Sequence, residues 1–307
     1  MGFVSVTIDL DELYCYHAIH GLDAPKPDRT ALIYERALPR AVALFDTLGI
    51  KATLFAVGKD LLDAGAAGQI GALAKRGFEI ANHTMNHRYD FTILPLESQA
   101  EEIDAAGREI HRVTGVSPVG FRAPGYNLTY GVVELLEKRN FGYDASVFPC
   151  PAYYAAKVGA IALKSFQGKP SASIIGEPIV LRAPTLPYRI GDDGIWTRGD
   201  GLVELPITVV TRARLPFIGT AIGAMGRLPA KLFAKEAAKL PFIDLELHGM
   251  DFVDADGDGI AYLKEHQPDL RIPLQKRRVA LETAIKTLLD KGLEPVTLAD
   301  AAKRVFV

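Results

Sequence analysis

Ala81-Asn82-His83-Thr84-Met85-Asn86-His87 places two of the seven histidines of this 307-residue chain four positions apart. Before it, Arg76-Gly77-Phe78-Glu79-Ile80 reads as a helix end, a glycine turn and a short buried strand. A histidine pair at i, i+4 leaving a strand end can aim two imidazole nitrogens at one point, as a divalent metal needs. The plain alternative is two surface histidines that fall close together. An isolated H-x-x-x-H does not separate these readings.

Working outward, the same form recurs. Phe3-Val4-Ser5-Val6-Thr7-Ile8 is a β-rich run ending on Asp9-Leu10-Asp11-Glu12. In an extended chain Asp9 and Asp11 point to one side, and two close carboxylates call for a metal or a shared proton. A polar strand end capping the next turn is the alternative. Val119-Gly120-Phe121 delivers Arg122-Ala123-Pro124-Gly125-Tyr126, and Phe141-Gly142-Tyr143 delivers Asp144-Ala145-Ser146. Near the end, Phe242-Ile243-Asp244-Leu245-Glu246-Leu247-His248 is a strand closing on histidine. Helical stretches are expected from about Thr30 to Leu48, over 59–76, from Leu94 to Val113, and over 129–139 and 272–291. Short strands followed by helices predict an α/β fold with parallel strands, as a barrel or an open sheet.

Residues 149 to 240 break this alternation, with frequent Pro, Gly and Arg, the single Trp196, and strand-like runs at 160–164, 179–182 and 202–210. They read as an insertion, a small β subdomain or lid, within a single catalytic domain spanning 1–307. From Arg212 to Ile243, Arg212, Arg214, Arg227, Lys231, Lys235 and Lys239 alternate with apolar residues. Such a stretch is either a helix with a solvated basic face or one that lies on an anionic membrane. Residues 12 to 29 read as a loop, where His17 and His20 are further ligand candidates but fit exposed loop histidines better. Asp254-Ala255-Asp256-Gly257-Asp258-Gly259, with Glu265 beyond, has calcium-loop spacing. A strand enters it and the branched residue is one place early, so a solvated acidic turn fits better.

Composition narrows the classes. Apolar residues make up 49% and charged residues 23%, enough for a large core, and the net charge of −2 gives no electrostatic footprint for nucleic acid. The two cysteines, Cys15 and Cys150, form no disulfide framework and suggest a reducing compartment. The first residues start a strand at once, without a leader pattern, and no eighteen-residue apolar run occurs. A cytoplasmic location is the resulting expectation, with peripheral contact at the inner face of the membrane if the basic stretch binds lipid. Oligomeric state is not specified.

Taken together, the strand ends carry Thr-Ile-Asp-x-Asp, His-Thr-x-x-His, Arg-x-Pro-x-Tyr, Asp-x-Ser and Leu-His in order across residues 7 to 248. This set resembles the polysaccharide deacetylase, or NodB-homology, family of carbohydrate esterase family 4-like metal-dependent hydrolases. The resemblance implies a distorted (β/α) barrel. It also implies one divalent metal on Asp11, His83 and His87, zinc first, with cobalt, manganese or nickel also suited to that donor set. By the same resemblance Asp9 is the general base, oriented by Arg122. His248 is the general acid and Asp144 fixes its imidazolium. Pro124 and Tyr126 bind substrate, with a backbone N–H near Tyr126 stabilising the oxyanion. Leu10 separates aspartates that are usually adjacent, a form that resembles the branch holding the cytoplasmic lipid-linked aminoarabinose deformylase. The fourth motif lacks a tryptophan, and Phe148 stands as its apolar substitute.

The implied activity is removal of an N-acetyl or N-formyl group from a sugar, nucleotide-linked or lipid-linked. A cyclic imide or another small amide is an alternative substrate, since the motifs recognise a carbonyl and not the rest of the molecule. A non-catalytic binding protein on the same fold is a third reading. Such proteins usually lose the base, the acid or a ligand, and here all are present.

Overall fold

The computed structural model describes residues 2–26, 31–166, 168 and 171–306. The expected helix start at Thr30 and loop residues 27–29 therefore lie outside the described residues. In strand β1 (Phe3–Asp9), Val4, Val6 and Ile8 join the main hydrophobic core while Ser5, Thr7 and Asp9 turn to the opposite face, also buried. A strand buried on both faces is the mark of a parallel sheet covered by helices. Helix α1 (Leu13–His20) follows, within the stretch read as a loop. Its signal is Glu12, whose carboxylate accepts from the N–H of Leu13 at its start and from the N–H groups of Ile33 and Tyr34. A glutamate at this cap is a weak sequence cue beside Ser, Thr, Asp or Asn.

A π-helical turn over Ile33–Ala37 leads into α2 (Leu38–Leu48), which ends on Gly49 at φ 66°. Then come β2 (Thr53–Ala56), α3 (Ala64–Lys75), β3 (Glu79–Asn82), α4 (Leu96–Thr114), β4 (Gly120–Phe121), α5 (Tyr130–Lys138) and β5 (Tyr143–Asp144). This strand–helix alternation follows the sequence expectation closely.

The stretch 149–240 differs from it. Residues 160–164 belong to helix α6 (Pro151–Phe166), and 179–182 to a 3₁₀ turn, Pro178–Arg182. No residue of α6 is buried, so its apolar run is a helix laid across a surface, where period-2 alternation has no meaning. Strands β6 (Tyr188–Gly191) and β7 (Gly194–Glu204) form an antiparallel hairpin, and β7 also pairs in parallel with β5. The hairpin thus extends the main sheet. Short strands β8 (Val209–Val210) and β9 (Leu215–Pro216) pair with each other. Helices α7 (Gly219–Met225) and α8 (Arg227–Ala237) lead to β10 (Phe242–His248), and α9 (Leu274–Asp290), β11 (Glu294–Pro295) and α10 (Leu298–Arg304) close the chain.

The strand order is β10-β1-β2-β3-β4-β5-β7-β6, with β11 also on β1, in a curled α/β sheet that makes the distorted half-barrel. The register of β1 on β10 sets Ser5 beside Asp244, Thr7 beside Glu246 and Asp9 beside His248. One polar stripe therefore faces the barrel interior, and the intervening Ile243, Leu245 and Leu247 pack outward into the core. Among the described residues no helix is long and apolar enough to cross a membrane.

Candidate active site

The loop after β3 is built around residues that keep a strained backbone. Thr84 and His87 have φ of 63° and 50°, a region that side-chain-bearing residues seldom occupy. Hydrogen bonds hold it there. Asn82 accepts from the Thr84 N–H, and Thr84 Oγ1 accepts from the His87 N–H. Glu102, reaching over from α4, takes both the backbone N–H and the side-chain amide of Asn86 at 2.8 and 2.7 Å. Glu102 falls within the helix expected from Leu94 to Val113. The structure makes it the latch of the histidine loop.

The latched loop brings Nε2 of His83 and of His87 to 3.3 and 3.2 Å from Asp11 Oδ1. All three residues are buried, and Asp11 Oδ1 and His87 Nε2 have no hydrogen-bond partner. Burying unpartnered acceptors in contact is costly unless a cation sits among them. His83 Nδ1 is 2.7 Å from the Arg122 carbonyl, a bond that puts the proton on Nδ1 and frees Nε2 for a metal. Burial alone would raise the Asp11 carboxyl, but the two imidazoles hold it well below its usual range. The donor set fits a divalent metal of the zinc type.

Asp9 is held differently. Its Oδ1 accepts from Arg122 Nη1 at 2.7 Å, while Oδ2 stands 3.9 Å from His83 Nε2. Arg122 is fully buried, lies 4.1 Å over the Phe55 ring, and also donates to Thr7 Oγ1, Asp244 Oδ2 and the Ala145 carbonyl. Asp244, which sequence reading left without a role, is thus the second carboxylate on the guanidinium.

His248 closes the site from β10. Its Nδ1 lies 2.8 Å from Glu246 Oε1, and its Nε2 is 3.3 Å from the Tyr126 hydroxyl and 3.9 Å from Asp11 Oδ2. Burial would lower the imidazole, yet Glu246 first, then Asp11 and Asp9, raise it well above its ordinary value. Asp144 does not reach it. Register sets Asp144 against Glu204 of β7, and its oxygens accept from the N–H and hydroxyl of Ser146. Burial raises both Asp144 and Glu204, which stand opposite each other in the β5–β7 register.

The remaining candidates divide between corrections and agreement. Tyr126 lines the site at φ 60°, but its N–H already donates to the Ala123 carbonyl at 3.0 Å and is not free for an oxyanion. Pro124 is buried and starts the turn that presents Tyr126 rather than lining the cleft. Phe148 packs 5.8 Å from Tyr126 and 4.9 Å from Tyr153, centroid to centroid, behind the cleft wall. His17 is spent on the Asp23 carbonyl and the Tyr262 hydroxyl. His20 lies beside His266 at 5.3 Å, on the cleft wall and outside the metal cluster. Cys15 and Cys150 are buried and do not pair. Arg40 of α2 clamps Asp258 in a two-pronged bond and Lys264 holds Asp256, so two of the loop's three aspartates are paired with cations from outside it.

Asp9, Asp11, His83 and His248 open into one cleft of about 730 Å³. Tyr16, Tyr89, Tyr126, Tyr153, Ile161 and Met250 make much of its wall, and α6 runs along its side. Aromatic and apolar walls around a few convergent polar groups are what a small-molecule site needs.

The polysaccharide deacetylase family model matches residues 27–145, a span that includes His83, His87, Arg122, Tyr126 and Asp144. A peptidoglycan deacetylase-like protein of Gibberella zeae is 34% identical over 110 residues, 35% of this chain. That alignment covers 32% of the relative, so the chain matches about a third of its length. A Mycobacterium smegmatis protein described as a polysaccharide deacetylase superposes over 99% of this chain and 91% of its own, at 18% identity and a TM-score of 0.60. Puue allantoinase does so over 98% and 88%, at 16% identity and the same TM-score of 0.60. At these identities the two structures establish the fold.

Proposed function

We propose that this chain is a metal-dependent amide hydrolase that removes an N-acetyl or N-formyl group from an amino sugar. The observation that carries the reading is the pairing of two opposed clusters in one cleft. Asp11, His83 and His87 converge as candidate metal donors, with Asp11 Oδ1 and His87 Nε2 lacking partners among the described residues, and Asp9 and His248 line the same cleft. A divalent metal held by the first cluster would supply Lewis acidity at the scissile carbonyl. Asp9, pinned through Oδ1 by Arg122, keeps Oδ2 to take a proton from the attacking water. His248, with Glu246 on Nδ1, gives the Nε2 proton to the departing amine. The apolar walls exclude water around the acyl group.

The family match to residues 27–145 supports a sugar amide as substrate. Equal fold likeness to an allantoinase supports a second reading, hydrolysis of a small cyclic amide. Acetate and formate release from N-acetyl and N-formyl amino sugars, with zinc, manganese or cobalt added, tests the first. Turnover of allantoin without turnover of any sugar amide would replace it by the second. No turnover of either by metal-loaded protein would leave a binding protein.

Peripheral membrane contact belongs to the same proposal. On α8, Ala230, Ala234 and Ala237 pack inward, while Leu228 and Leu232 remain 66% and 57% exposed among Arg227, Lys231 and Lys235. The inward face of α8 is thus made of alanines, and the leucines face out with the basic residues.

A further inference from the structure

Trp196, the single tryptophan, lines a pocket of about 560 Å³ with Arg182, Arg198 and Arg214. Among the described residues no aspartate or glutamate lines this pocket, and the ion pairs include none of its three arginines. Backbone carbonyls steer two of them. Arg214 donates to Leu181 at 2.5 Å and Arg198 to Pro187 at 3.4 Å, which orients each guanidinium without neutralising it. Arg214 also sits at φ 53°, in the tight turn between β8 and β9 that presents it. Three like charges around one concavity repel each other, and an anion relieves that repulsion. The guanidinium fork matches phosphate oxygens two at a time. An indole face beside the forks suits the flat side of a sugar or base.

The pocket also connects to the chemistry. Trp196 lines a smaller cavity together with Gly125, Tyr126, Tyr153 and Lys157, and those four also line the catalytic cleft. Lys157 donates to the Gly125 carbonyl at 2.9 Å. Among the described residues Glu177 is the one carboxylate on that smaller cavity, and it is exposed. Trp196 is thus common to the arginine pocket and to a small cavity of about 30 Å³ that shares its Tyr126 wall with the catalytic cleft.

We propose that Arg182, Arg198, Arg214 and Trp196 form a subsite for a phosphoryl group carried by the substrate, so that the amino sugar reaches the catalytic cleft tethered through phosphate. This rests on the reading of the cleft as a sugar amide hydrolase and names the class of sugar it takes. Because Trp196 is the only tryptophan, its emission reports the subsite directly. Titrations at low salt with inorganic pyrophosphate and with UDP-N-acetylglucosamine should each change that emission saturably, while neutral N-acetylglucosamine should not. The Arg182→Gln/Arg198→Gln variant, at two exposed positions, should bind both about tenfold or more weakly, since a charge-assisted bond lost is worth about that factor. An unchanged urea midpoint confirms that this variant is folded. The subsite is overturned by no saturable change with either anion, or by unchanged affinity in the variant. Binding of pyrophosphate with exclusion of the phosphosugar overturns the tether. Emission reads binding without turnover, so failed hydrolysis of a neutral N-acetyl sugar would sink the catalytic reading and leave this result standing.

Discussion

Glu246 Oε1 lies 2.8 Å from His248 Nδ1, so the imidazole faces the charge of a carboxylate two residues earlier on its own strand. Side chains at i and i+2 of a strand share a face, which makes the pair rigid and local. Its consequence is specific. Glu246→Gln should lower kcat by about tenfold to a hundredfold, the range over which orienting partners act, and shift the alkaline limb of the rate profile to lower pH, because the charge that raises His248 is gone. Asp144→Asn, whose side chain faces Ser146 and Glu204, should leave that limb in place. A limb that moves with Asp144 and not with Glu246 would reverse the assignment.

The same pair shows what the sequence reveals and what it hides. The strand ends were legible because strand, polar terminus and helix recur, and because His83, His87 and His248 are rare residue types at those ends. Glu246 was hidden in plain view. Leu245 and Leu247 made Phe242–His248 look like a buried strand, and its alternate acidic residues were not read as a second face. Asp244 needed the register with β1 to be seen, since only pairing places it beside Thr7 and near Arg122. Glu102 needed tertiary contact, because nothing local links a residue of α4 to Asn86. The stretch 149–240 failed for another reason. A surface helix without a buried face and a hairpin that joins the main sheet leave no periodic signature of their own.

The metal cluster predicts a separation of binding from turnover. His83→Ala should strip most of the metal, measured by elemental analysis after loading, and abolish activity. Asp9→Asn should retain metal, because Asp9 is held by Arg122 and not among the Asp11, His83 and His87 donors, yet lose turnover by orders of magnitude. Full metal occupancy in His83→Ala would remove this residue from the ligand set.

Glu102 is the loop latch, and its loss should act through His87. Glu102→Ala breaks two bonds to Asn86 and leaves a loop with Thr84 and His87 at positive φ unsupported. Metal affinity should fall by about tenfold to a hundredfold, as for other residues that orient ligands. Glu102→Gln, which keeps one acceptor, should fall less. Equal affinity in all three proteins would show that the strained loop holds itself.

Asp251 offers a stability test with a definite sign. Its carboxyl accepts from the His248 N–H at 2.9 Å, and burial pushes it from the ordinary 3.8 up to about 7. The folded state therefore binds the proton more tightly than the unfolded chain. That contribution is complete below about pH 4 and is lost as pH rises toward about 7, at no more than about 1.4 kcal/mol per pH unit. Asp251→Asn keeps an acceptor for the His248 N–H and removes the titration. Its urea-derived stability should gain on the parent protein across this window. Parallel curves from pH 4 to 7 would mean that Asp251 is ionised in the fold throughout.

The outward face of α8 gives the remaining prediction. Leu228 and Leu232 are exposed next to Lys231 and Lys235, with Lys239 also exposed. Burying a leucine is worth about 1.5–3 kcal/mol and each basic residue near an anionic surface about 1 kcal/mol. The leucines and lysines are thus of similar weight, and neither group suffices alone for stable attachment. Binding to anionic vesicles should therefore occur at low salt and weaken as salt screens the lysines. Changing Lys231, Lys235 and Lys239 to Glu should abolish sedimentation with vesicles and leave turnover of a soluble N-acyl sugar intact. Leu228→Ser/Leu232→Ser should weaken binding without changing its salt dependence, since charge and apolar contact contribute separately. If the unmodified protein stays in the supernatant with anionic vesicles at low salt, α8 is a solvated helix and the substrate need not be membrane-borne.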